Sequence, residues 1–131
     1  MAEEKSPSIP GVIAYFTVSE SKAATAFYEK AFGAKLIDRR ETPDGRSMHV
    51  HVKINGGSMM FNDPFPEHGT PDEPPRNIGL HLVVDDADAW WKRAVDAGAE
   101  VTLPLEVAFW GDKYGQLKDP FGVTWGIVGP A

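Results

Sequence analysis

The sequence predicts an α+β fold, with two βαβββ modules forming a curved mixed sheet around a cleft. Three observations predict it. Hydrophobic periodicity reads strand, helix, strand, strand, strand over residues 9–62, and the same order returns over 78–129. The two runs superpose at an offset of roughly 65 residues, the mark of an internal repeat. Gly33 then falls on Gly98, Phe27 near Trp91, and the turn at Asn55 near the turn at Asp119. One unit alone can cover only one sheet face, so two are expected to bound a common cleft, each with a helix outside its sheet.

Residues 11–18 alternate as a strand. A helix begins at Ser19 or Glu20, with Ala24, Phe27, Tyr28, Ala31 and Phe32 at helical spacing and Gly33 as its stop. Strands follow over 34–42, 46–54 and 58–62. Pro43-Asp44-Gly45 and Asn55-Gly56-Gly57 are the turns between them. Residues 63–77 hold five prolines and read as a linker or as an ordered surface loop. The pattern restarts with a strand over 79–84. Asp85 or Asp86 caps a helix carrying Ala87, Trp90, Trp91, Ala94 and Val95, and Gly98 ends it. A strand over 99–103 leads to a long excursion over 104–112. A hairpin closes the chain, with strands over 113–118 and 123–128 joined by Asp119-Pro120-Phe121-Gly122.

The chain has 131 residues, enough for one ordinary domain, or for two small modules sharing a core. A net charge of -6 without a basic stripe argues against nucleic acid or an anionic membrane as partner. No apolar run approaches the roughly 18 residues of a membrane helix. Residues 1–8 lack the apolar stretch of a signal peptide and are expected to form a loose tail. There is no cysteine, hence no disulfide frame, and a cytoplasmic location is expected.

Several tokens resemble the vicinal oxygen chelate superfamily, which includes glyoxalase I, bleomycin-resistance proteins and extradiol dioxygenases. They are Ala26-Phe27-Tyr28 with Phe32-Gly33, Val83-Val84-Asp85-Asp86-Ala87, and Trp110-Gly111-Asp112-Lys113-Tyr114-Gly115 followed by Asp119-Pro120-Phe121-Gly122. The last is most similar to a glyoxalase-like branch often labelled with phosphonate metabolism. The resemblance covers residues 10–128. It implies a metal site of four symmetric positions, which here fall on Ile13, Met60, Gly79 and Gly126. None of these suits zinc, manganese or iron, which want imidazole, thiolate or oxygen. No metal or other cofactor is therefore expected. A displaced divalent site on His49, His51 and His81 is the alternative, against simple hydrogen bonding of these imidazoles.

Alternation divides each strand into a core face and a cleft face. The core faces are Ala14, Phe16 and Val18; Met48, Val50, Val52 and Ile54; Met59 and Phe61; Leu80, Leu82 and Val84; Leu117; and Val123, Trp125 and Ile127. The cleft faces are Tyr15, Thr17, His49, His51, Lys53, Ser58, Met60 and Asn62 in the first module. In the second they are His81, Val83, Tyr114, Gln116, Lys118, Thr124 and Gly126. The repeat lays His49, His51 and Lys53 on Tyr114, Gln116 and Lys118, and Tyr15 on His81.

His51 and His81 are the candidate bases, since imidazole titrates near neutrality. The ligand-binding candidates are Tyr15, His49, Lys53, Met60, Asn62, Trp110, Tyr114, Gln116, Lys118 and Thr124. Tyr15 or Tyr114 can donate to a ligand oxygen, Lys53 and Lys118 can hold a carboxylate or phosphonate, and Trp110 can stack from a loop. Solvated strand ends for the lysines and a structural plug for Trp110 are the plainer alternatives. Two functions follow. One is a metal-free small-molecule-binding protein that sequesters its ligand. The other is a glyoxalase-like lyase, isomerase or dioxygenase using the cleft histidines. A homodimer is expected because sheet edges need covering, with modules paired within one chain or exchanged between two.

Overall fold

The computed structural model describes residues 9–131; the expected tail at 1–8 lies outside them. The first module is β1 (Ala14–Thr17), α1 (Ser21–Phe32), β2 (Lys35–Glu41), β3 (Ser47–Ile54) and β4 (Gly57–Asn62). The second is β5 (Gly79–Val83), α2 (Ala87–Ala97), β6 (Glu100–Val107), β7 (Lys113–Lys118) and β8 (Thr124–Gly129). Each module makes one mixed four-stranded sheet, ordered β1-β4-β3-β2 and β5-β8-β7-β6. In both, the first strand pairs parallel to the last and the other pairs are antiparallel. The expected βαβββ duplication is the architecture found.

Helix α1 forms because Ala24, Phe27, Tyr28, Ala31 and Phe32 share one buried face. Its N-terminus is capped from a distance. The Asp63 carboxylate, just past β4, accepts Ser21 N–H at 2.7 Å and Ser21 Oγ–H at 2.7 Å, and also Ser47 N–H at 2.7 Å. Its C-terminus turns at Gly33, with φ 67°, and Arg93 of α2 donates to the carbonyls of Lys30 (2.9 Å) and Glu29 (3.2 Å). Asp86 caps α2 by accepting Ala89 N–H at 3.1 Å.

The two helices pack on each other, and both modules contribute to one core. Phe32 lies 4.5 Å from Trp125 between ring centroids, and Tyr28 lies 5.7 Å from Trp125 and 5.6 Å from Phe61. This corrects the expectation of a helix on each outer sheet face. The aromatic face of α1 is too wide for its own sheet and buries against Trp125 as well. The polar sheet faces are the ones turned away from that core.

Three boundaries differ from expectation. β1 starts at Ala14, where its parallel pairing to Met59 starts, and not at residue 11. The excursion at 104–112 shrinks, since β6 runs on to Val107. Register shifts between Val101 and Leu103 and between Leu103 and Glu106 let this edge strand carry Pro104. Met48, expected in the core, is 54 % exposed. The step from Arg40 to Glu41 faces two steps, from His49 to Ser47, so Met48 is a bulge residue and Ser47 takes the buried place. The segment 63–77 is ordered by the 3₁₀ turn Pro66–His68, a Phe65–Thr70 bridge and buried Phe65 under the Arg46 guanidinium.

Candidate functional site

Registration of the strands lays the outward side chains of the first sheet in three rows. Ile13 leads into β1 beside the row of Ser58, Lys53 and Lys35; Tyr15, Met60, His51 and Asp38 form the next; Thr17 and Asn62 lie beyond, near His49 and Arg40. The outward rows of the second sheet are Gly79, Thr124, Lys118 and Glu100; His81, Gly126, Gln116 and Leu103; and Val83, Val128, Tyr114 and Glu106. The two grids superpose row by row, and the correspondence of His49, His51 and Lys53 with Tyr114, Gln116 and Lys118 is real geometry.

On the first face the Tyr15 hydroxyl donates to the Met48 carbonyl at 3.1 Å and lies 3.4 Å from His49 Nδ1, with the rings stacked at 5.8 Å. Thr17 Oγ1 donates to Asn62 Oδ1 at 2.7 Å. His51 is buried, 1 % exposed, and its Nε2 lies 2.9 Å from Ser58 Oγ. Its Nδ1 is buried without a partner among the described residues. Burial lowers the His51 pKa below the usual imidazole value, and the nearby His49 and Lys53 lower it further, against Asp38. His51 is thus neutral at neutral pH.

On the second face His81, Tyr114 and Trp110 run in a line, with centroids 5.7 Å and 5.6 Å apart, and Phe109 continues it at 5.0 Å from Trp110. Gln116 Nε2 donates to Tyr114 Oη at 2.8 Å. The line closes down over Gly126, where a Cβ would lie 2.9 Å from His81 Nδ1 and 3.2 Å from Tyr114. Lys118 and Thr124 are cross-strand partners one row away.

The structure brings Tyr15, His49, Met60, His51, Lys53 and Asn62 together on one face and His81, Tyr114, Gln116, Trp110, Lys118 and Thr124 on another. Among the described residues no hydrogen bond or ring contact joins these two sets. They do come near each other at a seam between the sheets. There Asn55 Nδ2 donates to the Val83 carbonyl at 2.7 Å, and a crevice of about 170 Å³ is lined by Ala14, Ser58, Leu80 and His81.

Sequence reasoning left out the contributions of β2 and β6, namely Lys35, Asp38 and Arg40 against Glu100 and Glu106. Both strands carry bulges, which break the alternation that assigns faces. The chelation positions Ile13, Met60, Gly79 and Gly126 supply one thioether and no imidazole or carboxylate, so they do not fit a divalent metal. His49 and His51 share the first sheet while His81 stands on the second, and these imidazoles form no cluster among the described residues.

A model of the Glyoxalase/Bleomycin resistance protein/Dioxygenase superfamily matches residues 11–127. An uncharacterized protein of Mycobacterium bovis is 39% identical over 127 residues, covering 92% of this chain and 84% of its own. Among solved structures, a protein of Pseudomonas aeruginosa superposes with TM-score 0.77 at 23% identity, covering 93% of this chain and 98% of the other. The genomically encoded fosfomycin resistance protein of Listeria monocytogenes gives TM-score 0.70 at 15% identity, covering 95% and 96%. At these identities both structures speak to the fold alone.

Proposed function

This chain belongs to the Glyoxalase/Bleomycin resistance protein/Dioxygenase superfamily, and we propose that it is a small-molecule-binding protein working without the superfamily's usual metal. The observation that carries this reading is the chemistry of the four chelation positions, where an isoleucine, a methionine and two glycines stand. In place of a cation, the two faces offer hydrogen-bonding and stacking groups: Tyr15, His49 and Asn62 on one, His81, Tyr114, Gln116 and Trp110 on the other. Binding would sequester the ligand stoichiometrically.

The proposal includes a homodimer in which the first face of one copy meets the second face of the other. The shared core supports it, because both polar faces point away from α1 and α2. Charge supports it too: Lys35 and Lys53 mark the first face, Glu100 and Glu106 the edge of the second. A cytoplasmic home fits the cysteine-free sequence.

The enzymatic reading is favoured by one feature. His51 is held neutral and bonded to Ser58, so it can accept a proton. The test of the main reading is elemental analysis of the purified protein, then native mass spectrometry before and after dialysis with manganese, iron, nickel and zinc. A retained organic molecule without metal is expected. One tightly held metal ion per chain, bound through the histidines, would sink it.

A further inference from the structure

The first face contains a cavity around His51, Lys53 and Ser58. It has a volume of about 580 Å³, within the range of small-molecule sites. Val12, Ile13 and Ile37 give it apolar walls, while His51, Lys53 and Ser58 lie at its floor. Ile37 is the extra residue of the β2 bulge, since Leu36 and Asp38 pair with adjacent residues of β3. The bulge lets Asp38 take the place opposite His51 and leaves Ile37 as the extra residue beside it.

Two features at or beside this floor ask for an anion. Lys35 and Lys53 stand directly opposite each other on β2 and β3, and neither forms an ion pair among the described residues. Like charges in that position oppose strand pairing unless something neutralises them. His51 Nδ1 is buried and has no hydrogen-bond partner among the described residues, and a buried polar atom left unpaired is costly. If the Ser58 hydroxyl donates to Nε2, then Nδ1 carries the imidazole proton and needs an acceptor.

We propose that this cavity binds a small apolar monocarboxylate. Its carboxylate pairs with Lys53 and accepts from His51 Nδ1–H, and its hydrocarbon body lies against Val12, Ile13 and Ile37. The Nδ1 atom is shut from water, so entry displaces a covering side chain; the exposed, unpaired Lys53 is the neighbour free to swing. A single negative charge suits the site better than a phosphonate dianion, because Asp38 faces His51 from β2. This proposal rests on the reading of the first face as a ligand surface and narrows its ligand class.

The test is a titration of the full chain, with ¹⁵N-labelled histidine, using butyrate and benzoate. Butyramide, benzamide and propylphosphonate are the comparison probes. Saturable carboxylate binding is expected, with His51 ring nitrogens shifting along the same curve. The amides should bind at least about tenfold more weakly, since a charge-assisted bond of 1.5–3 kcal/mol is lost. The Lys53→Met protein should lose a similar factor. Equal amide binding, tighter phosphonate binding, an unmoved His51 or an unaffected Lys53→Met protein would overturn the proposal. The comparison among probes needs no variant, so a poorly folded Lys53→Met protein leaves the test intact. If no carboxylate binds but another organic molecule is retained on this face, the monocarboxylate falls while the binding reading stands.

Discussion

Tyr28 on α1 donates its hydroxyl proton to Asp119 Oδ2 at 2.7 Å, linking residues 91 positions apart in the chain. Asp119 sits in the β7–β8 turn of the other module. The same carboxylate accepts Trp125 Nε1–H at 2.9 Å through Oδ2, and the amides of Phe121 (2.8 Å) and Val123 (3.0 Å) through Oδ1. The site is buried, with Tyr28 0 % and Asp119 4 % exposed. Burial first, then the Asp119 charge and the hydrogen bond, push the Tyr28 pKa far above its ordinary value. Tyr28→Phe should cost about 1–3 kcal/mol in urea unfolding. Asp119→Ala should cost more, because it strands three buried donors and the part-buried Phe121 amide. Equal stability of both variants and the parent would show that the modules are held by apolar packing alone.

Two glycines separate stability from site geometry. A Cβ at Gly115 would lie 2.6 Å from the Trp91 ring and 2.9 Å from Leu105 Cα, and backbone there cannot yield cheaply. Gly115→Ala should therefore destabilise by about 1–3 kcal/mol. At Gly126 the neighbours are the His81 and Tyr114 side chains, which can move. Gly126→Ala should keep more of the stability and change the fluorescence environment of Trp110, which leans on Tyr114. Thermal melts with emission spectra of both variants decide this.

Acid should reveal His51. Its folded pKa lies below the ordinary imidazole value of about 6.5, so the unfolded chain binds the proton more readily. Stability from the neutral ring is complete above that ordinary value and is lost as pH falls towards the lower folded value. His49, Lys53 and Asp38 face the ring and stay in place in a His51→Gln protein. Unfolding free energy measured from pH 7.5 to 5 should fall less steeply for His51→Gln than for the parent. A parallel slope would mean that His51 is solvated in solution.

Exchange of faces between copies has a genetic signature. One protein carries Tyr15→Phe with Lys53→Met on the first face, and the other carries His81→Ala with Tyr114→Ala on the second. If each site takes one face from each copy, a mixed dimer holds one intact site and one doubly damaged site. Mixing after co-refolding should restore ligand binding to about one site per two chains in the mixed species. No restoration would place both faces of each site within one chain.

Sequence alone determined the duplicated βαβββ order, the helices with their glycine stops, and most core faces. Local rules suffice there: periods of two and 3.6, turn residues, and a repeat that checks itself. Val50, Val52, Phe61, Leu117, Trp125 and Ile127 are buried as alternation says. Bulges ended that legibility. Met48 left the core, Ile37 became the extra residue of β2, and β6 ran past Pro104, because one extra residue in a strand breaks its alternation. The packing of α1 on α2 was decided only in three dimensions. That α1 also packs against the second sheet depends on Trp125 of β8 meeting Tyr28 and Phe32, a contact between residues about a hundred positions apart that no local period encodes. That packing, in turn, points the two polar faces away from their common core.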